Sequence, residues 1–191
     1  MDVKTAIEKR RAYRSLKPFQ VDDALIEELA FAARLAPSCF NNQPWRFVFA
    51  RDPETLQSLF AALSKGNEWA RKSPLVIAVF SQKDYDCLIK EREYYLFDTG
   101  IAVAFLILRA TELGLIAHPI AGYDPEKAKE ALGIPKEKML ITLIVMGEKS
   151  EEIDSDLSEK QMESEKTRPE RLQPAQFIHI NKYDSQREPR K

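Results

Sequence analysis

Residues 90–113 read EREYYLFDTGIAVAFLILRATELG, and this stretch limits the chain more than any other. Its length and lack of turn signals predict a helix, and its middle, IAVAFLIL, is apolar on every side of a 3.6-residue period. A helix apolar all round has to be covered all round. A chain of 191 residues is the size of one domain and has little material for that coverage. Full burial therefore implies that a second subunit covers one side. The unbroken apolar run is only eight residues, Ile101 to Leu108, against roughly twenty needed to cross a bilayer as a helix. No membrane partner is expected.

Two further runs are continuous rather than alternating. LVIAVF, 75–80, and MLITLIVMG, 139–147, are β-rich and apolar at successive positions, which predicts strands buried on both faces. Shorter signals surround them. Helices are expected over 2–11, over 23–35 (capped at Asp22 or Asp23 and stopped by Pro37), over 52–63, and over 124–133, with Asp124 as cap and Gly133 as stop. WRFVFA, 45–50, is a further strand candidate, and FIHINKY, 177–183, an extended piece within a charged tail. The organisation expected is a core over residues 1–150 and a charged arm over 151–191 that belongs to the same domain.

Charge is distributed in blocks. Residues 1–17 hold six basic residues against two acids, 148–165 hold eight acids against two lysines, and 166–191 return to a local +4, on a net charge of -1. Near-neutral overall charge and the lack of basic-aromatic interleaving argue against nucleic acid. Two basic ends on a near-neutral chain point to one anion held by both.

Much chemistry is missing. The six glycines are too scattered for a dinucleotide fingerprint or a phosphate loop. Neither His118 nor His179 has a second ligand at metal-binding spacing, so no metal site is expected. Cys39 and Cys87 lie far apart and outside any C-x-x-C, giving no disulfide framework and fitting a reducing, cytoplasmic setting. A Cys39–His118 nucleophilic pair is conceivable in three dimensions, against the ordinary reading of such cysteines as small buried hydrophobes. An enzyme with so few reactive side chains borrows its chemistry from a cofactor.

Three constellations remain. KRRAYR, 9–14, is either a solvated basic helix end or a site for a multivalent anion. PSCFNNQPWRF, 37–47, joins three amide side chains and two stiffening prolines to Phe40, Trp45 and Phe47. It is either a turn with one core tryptophan or a wall that matches the donors and acceptors of a heterocycle. HPIAGYDP, 118–125, is a small-residue turn ahead of a capped helix, open to close approach of a flat ligand or no more than an ordinary loop.

Taken in order, RRAYR, APSCFNNQPWRF, DTGIAVAFLILRATELGL, PIAGYD and ALGIP resemble the FMN-dependent nitroreductase family over Ile7 to about Pro169. That resemblance implies an α+β fold, a central and mostly antiparallel sheet flanked by helices, in an intertwined homodimer with FMN at the interface. It implies an FMN-dependent NAD(P)H oxidoreductase, with ping-pong hydride transfer through flavin N5 to a nitroaromatic, quinone or related small acceptor. No side chain of this chain then has to act as the catalytic group. Arg10 and Arg11 would hold the FMN phosphate or ribityl oxygens, and Arg14 would approach the pyrimidine edge. Lys166 and Arg168, in EKTRP, match a C-terminal phosphate clamp. Asn67 would meet the flavin's polar edge, and Ile120, Ala121 and Gly122 would pass near N5. Pro37, Ser38, Cys39, Asn42 and Gln43 would come from the other subunit. The chain departs from the family at Ala12, Ala70, Ala104 and Ala121, which carry no polar group where relatives do; Arg71 stands beside Ala70. Two alternatives stay open: a specialised flavin reaction (dehalogenation or flavin-derived biosynthesis, with Asp98 worth testing), which the resemblance admits because family relatives include such enzymes, and a non-catalytic flavin-binding protein, which the losses at Ala12, Ala104 and Ala121 keep open. Trp69, Tyr94, Tyr95 and Phe97 are either acceptor-pocket residues or packing.

Overall fold

The computed structural model describes residues 1–187. The last four residues of the expected arm, with Pro189, lie outside the described residues. Six α-helices and seven strands follow in the order α1 (Val3–Lys9), β1 (Leu16–Lys17), α2 (Asp23–Arg34), β2 (Arg46–Ala50), α3 (Pro53–Phe60), β3 (Leu75–Ser81), β4 (Leu88–Ile89), β5 (Arg92–Glu93), α4 (Tyr94–Glu112), β6 (Leu115–Ile120), α5 (Pro125–Leu132), β7 (Met139–Lys149) and α6 (Glu159–Lys166). Every strand pairing is antiparallel.

The two continuous apolar runs form the middle of the sheet. β3 lies between β2 and β7, and β7 also pairs with β6 and with β1. Alternate residues of these strands enter different cores. Val76, Ala78, Leu143 and Val145 pack with Leu56, Leu59, Trp69 and Ala128 beneath α3 and α5. Leu75, Ile77, Val79, Ile144 and Met146 pack with Leu29, Ala33, Ala102, Leu106 and Ala110 beneath α2 and α4. Helices on both faces explain why neither strand shows the apolar-polar alternation of a half-exposed sheet.

Caps set the helix starts. Asp2, Asp22, Asp52 and Asp124 each accept a backbone N–H of the first turn, and Gly133 ends α5 in the left-handed region at φ 64°. β1 owes its place to a missing side chain. A Cβ on Gly147 would stand 2.9 Å from Leu16 Cβ and 3.0 Å from its Cδ1, closer than packed atoms tolerate. Gly147→Ala is therefore expected to cost about 1–3 kcal/mol by overpacking. A urea midpoint equal to the parent's would show that β1 yields freely.

Within one chain α4 is covered on one side only, in keeping with too little material for full coverage: Tyr95, Asp98, Thr99, Ala102, Leu106 and Ala110 are buried, while Phe97 is 64% exposed and Leu96 and Phe105 about two-fifths exposed. By length and composition it could cross a membrane, but its buried face makes it a core helix. Three other expectations need correction. LIAHPI is a strand, β6, where a turn was expected from His118 onward. Among the described residues it pairs only with β7, and an edge strand tolerates Pro119 because the missing N–H faces no partner. FIHINKY forms no strand; after a 3-10 turn at Pro174–Gln176 it exposes Phe177, Ile178 and Ile180. Finally, the cysteines are not separate: Cys39 and Cys87 are joined as a disulfide. The fold brings the 37–44 loop against residue 87, so cysteine usage no longer argues for a reducing compartment.

Candidate functional site

The two basic ends meet. α1 ends at Arg10, whose backbone carbonyl accepts a hydrogen bond from Arg168 Nη2 at 3.0 Å; the same nitrogen donates to Glu8 O at 2.5 Å. Arg11 Nη2 donates to Ser164 O at 2.6 Å, so α6 is stitched to the chain leaving α1. Glu165, the one buried residue of α6, accepts the backbone N–H groups of Arg14 and Ser15 at 2.9 and 3.1 Å. Between them lies a cleft of about 150 Å³ lined by Arg10, Arg11, Ala12, Arg14, Arg168 and Arg171. Among the described residues, none of these five arginines forms an ion pair with a carboxylate. Burial, then the charges of Arg168, Arg171 and Arg11, hold the Arg10 guanidinium below its ordinary pKa. Guanidiniums packed this closely without a counter-charge are organised for an anion.

The sequence picked out Arg10, Arg11, Arg14 and Arg168 correctly as neighbours. Lys166, by contrast, is exposed and does not line the cleft. Its place in the cluster is taken by Arg171, five residues further along. In α6 the register is set by the Ser158–Gln161 capping box and by Glu165 turning inward, which sends Lys166 outward. The S-x-x-Q signature was the available signal for that helix.

A second group sits at the end of β6. Asn67 Nδ2 donates to Gly122 O at 2.9 Å, and Ser64 N donates to the same carbonyl at 3.0 Å. A Cβ on Gly122 would lie 2.2 Å from Asn67 Nδ2, so the glycine admits the amide. Ala121 is exposed there, and Ile120 is buried in the core. Arg14 connects the two groups, its guanidinium carbon 5.9 Å from the centroid of Trp69, which follows Asn67 by two residues.

His118 lies beneath. It is 7% exposed, its Nδ1 is 3.0 Å from Tyr13 O, and its ring stacks on Trp69 at 4.7 Å. Burial is the main cause of a pKa lowered to about 4; the positive charge of Arg14 acts the same way, while the Tyr13 carbonyl opposes it. Neutral His118 therefore donates through Nδ1–H, and it is a packing residue rather than a base. It makes no contact with Cys39, whose sulfur is bonded elsewhere, so the Cys39–His118 pair does not form. Trp69 and Tyr95 are core residues, 3% and 6% exposed, whereas Tyr94 and Phe97 form an edge-to-face pair at the surface.

The 37–44 loop is built with care but stands apart. Ser38 Oγ accepts from Gln43 N, Asn42 Nδ2 reaches Asp86 Oδ1, and Cys39 N donates to Asp98 Oδ2 at 2.6 Å. Phe40, Asn41 and Gln43 take positive φ of 48°, 59° and 50°, a region costly for side-chain-bearing residues. Phe40 is 88% exposed at the tip. No hydrogen bond, ion pair or ring contact among the described residues joins Pro37, Ser38, Cys39, Asn42 or Gln43 to the arginine cleft. Asp98, open to reading as a helix-surface charge, is instead 2% exposed and anchors this loop. Ala70 is wholly buried and offers nothing to a ligand.

Comparison with known proteins places this architecture. The family model "Nitroreductase family" matches residues 7–68 and 62–148. The chain belongs to the nitroreductase family. It is 27% identical over 183 residues to an NADH dehydrogenase of Thermus thermophilus, covering 80% of this chain and 89% of the relative. Its fold superposes on a solved oxidoreductase containing FMN with a TM-score of 0.82, at 26% identity over 96% of this chain and 94% of that one. A nitroreductase family protein of Clostridium difficile matches with a TM-score of 0.76, at 25% identity over 96% and 100% of the two chains. The fold is accordingly nitroreductase-like, and the chain is an oxidoreductase of that family.

Proposed function

We propose that the chain is an FMN-dependent NAD(P)H oxidoreductase that works as a homodimer on a small acceptor. The observation that carries this reading is the arginine cleft, in which both chain ends present guanidiniums without a carboxylate. A doubly charged phosphate suits it in size and charge. When bound, FMN would take a hydride from NAD(P)H and pass two electrons to a nitroaromatic, quinone or similar molecule.

The chain's own residues supply position and charge. Arg10, Arg11, Arg168 and Arg171 hold the phosphate end. Arg14, held in place by its backbone bond to Glu165, offers positive charge to the pyrimidine edge, and Asn67 offers its amide beside Gly122. Ile120, Ala121 and Gly122 form the backbone floor on which the ring would lie. The 37–44 loop, separate from the cleft within one chain, completes the pocket from the second subunit through Pro37, Ser38, Cys39, Asn42 and Gln43. The exposed apolar side chains of α4 and of the arm (Phe97, Phe105, Phe177, Ile180) support that second subunit, since a lone chain would leave them in water.

An absorption spectrum of the purified protein, taken before and after anaerobic addition of NADH or NADPH, tests the proposal. Yellow protein that bleaches with either nucleotide is the expected result. Protein that neither carries nor takes up FMN would refute it.

A further inference from the structure

Cys39 and Cys87 are the chain's only cysteines, and their disulfide spans Cα atoms 6.2 Å apart across 48 residues of sequence. It ties the 37–44 loop to the base of the β4–β5 hairpin, where Tyr94 N donates to Cys87 O at 3.1 Å. Its surroundings are polar. Both cysteines are half-buried. Asn42 Nδ2 lies 3.5 Å from Cys87 Sγ, and Cys87 N donates to Asp86 Oδ1 at 2.8 Å. A ligand-type atom from each of Cys39, Asp86 and Cys87 falls within 4.8 Å of the others. Behind them stands buried Asp98, which faces Asp86 and accepts the Cys39 N–H. Asp86 Oδ2 is itself buried without a donor among the described residues.

A carboxylate facing another favours the protonated form of its neighbour. Burial raises the Asp98 pKa, and Asp86 adds to the rise, although the Cys39 N–H acts the other way. Asp98 thus retains its proton to higher pH than an ordinary aspartate. Asp86, which it faces, has a carboxylate oxygen within 4.8 Å of both sulfurs.

We propose that Cys39–Cys87 is a redox-active pair, a thiol–disulfide exchange site for a small thiol or dithiol, with the Asp86–Asp98 carboxyl pair as proton donor to the leaving sulfur. The thiolate of the incoming thiol attacks Cys39 Sγ. The S–S bond breaks, its electron pair goes to Cys87 Sγ, and the sulfur takes the carboxyl proton while the Asn42 amide stabilises it. A second thiolate then attacks the mixed disulfide on Cys39, releasing the oxidised reagent and a Cys39 thiolate that is protonated from water. Two external thiols are oxidised to one disulfide, and two cysteine thiols form. Reduction releases the strained Phe40–Gln43 turn from its cross-link. The inference does not depend on bound flavin.

The test is to equilibrate the folded, full-length protein in buffers of graded reduced-to-oxidised glutathione ratio, quench with acid, alkylate, and weigh the intact chain. Expected is a reversible change from no alkyl groups to two, without denaturant. Hydrogen exchange of residues 37–44 should rise in the reduced form. Asp86→Asn should slow reduction by dithiothreitol about tenfold near pH 5, with a smaller loss at pH 9, so that its rate climbs more steeply with pH than the parent's. Asp86→Asn is preferred to Asp98→Asn because Asp98 also anchors the loop. A pair that never oxidises in oxidised glutathione, or a bond reduced only after unfolding, would overturn the proposal. An unchanged rate and pH profile in Asp86→Asn would remove the carboxyl pair's role.

Discussion

Arg10→Gln combined with Arg171→Gln is expected to weaken FMN binding about a hundredfold or more, while leaving the cofactor-free protein as stable as its parent or more so. The two halves of this result come from one geometry. Neither side chain makes a hydrogen bond or ion pair to the protein among the described residues, although both line the cleft with Arg168. Each charge-assisted contact to a phosphate is worth roughly 1.5–3 kcal/mol before solvent screening, and 1.4 kcal/mol is about tenfold in affinity. In the cofactor-free protein the same cations repel one another, and burial first, then that repulsion, lowers the Arg10 pKa. Arg11 and Arg168 are different. They hold Ser164 O, Glu8 O and Arg10 O, so their removal should cost both binding and stability. Fluorescence titration with FMN, beside thermal melts of the cofactor-free variants, separates the cases. Unaltered FMN affinity in the double variant would show that the cleft serves another anion.

Acidification gives the second large effect. The His118 pKa falls from 6.5 in the unfolded chain to about 4 in the fold. Between those values the unfolded chain binds a proton that the native protein refuses, so stability rises with pH. The contribution is complete above about pH 6.5 and is lost as pH falls toward 4. A difference of this size corresponds to about 3 kcal/mol. The environment is consistent, since the ring lies between Trp69 and the Tyr13 carbonyl with Arg14 nearby and Glu165 partly offsetting that charge. Urea unfolding at pH 7 and pH 4.5 should show the loss in the parent. His118→Gln should flatten the pH dependence between those two values, even at a lower overall stability. An equal slope in the variant would place the titrating group elsewhere.

The sequence alone determined the elements whose signals are local. Unbroken β-rich runs marked β3 and β7 because strands buried on both faces have no polar side. Aspartate caps, and Gly133 at its left-handed turn, fixed helix ends within a residue or two, because capping is satisfied inside four residues. The charge blocks at the two ends anticipated the arginine cleft, since like charges this dense need a shared counter-ion. Tertiary structure decided what depends on a distant partner. β6 was hidden because its hydrogen bonds belong to β7 and its proline is tolerated only at an edge. Arg171 displaced Lys166 because Glu165 turns inward to the Arg14 and Ser15 amides, a contact across some 150 residues. Asp98 looked like a surface charge on a helix whose other partner, the Cys39 amide, lies 59 residues away. Nothing near Cys39 or Cys87 in sequence announced their bond. Local chemistry sets the pieces, but the environment of a buried charge or a sulfur is made by chain segments that meet only in the fold.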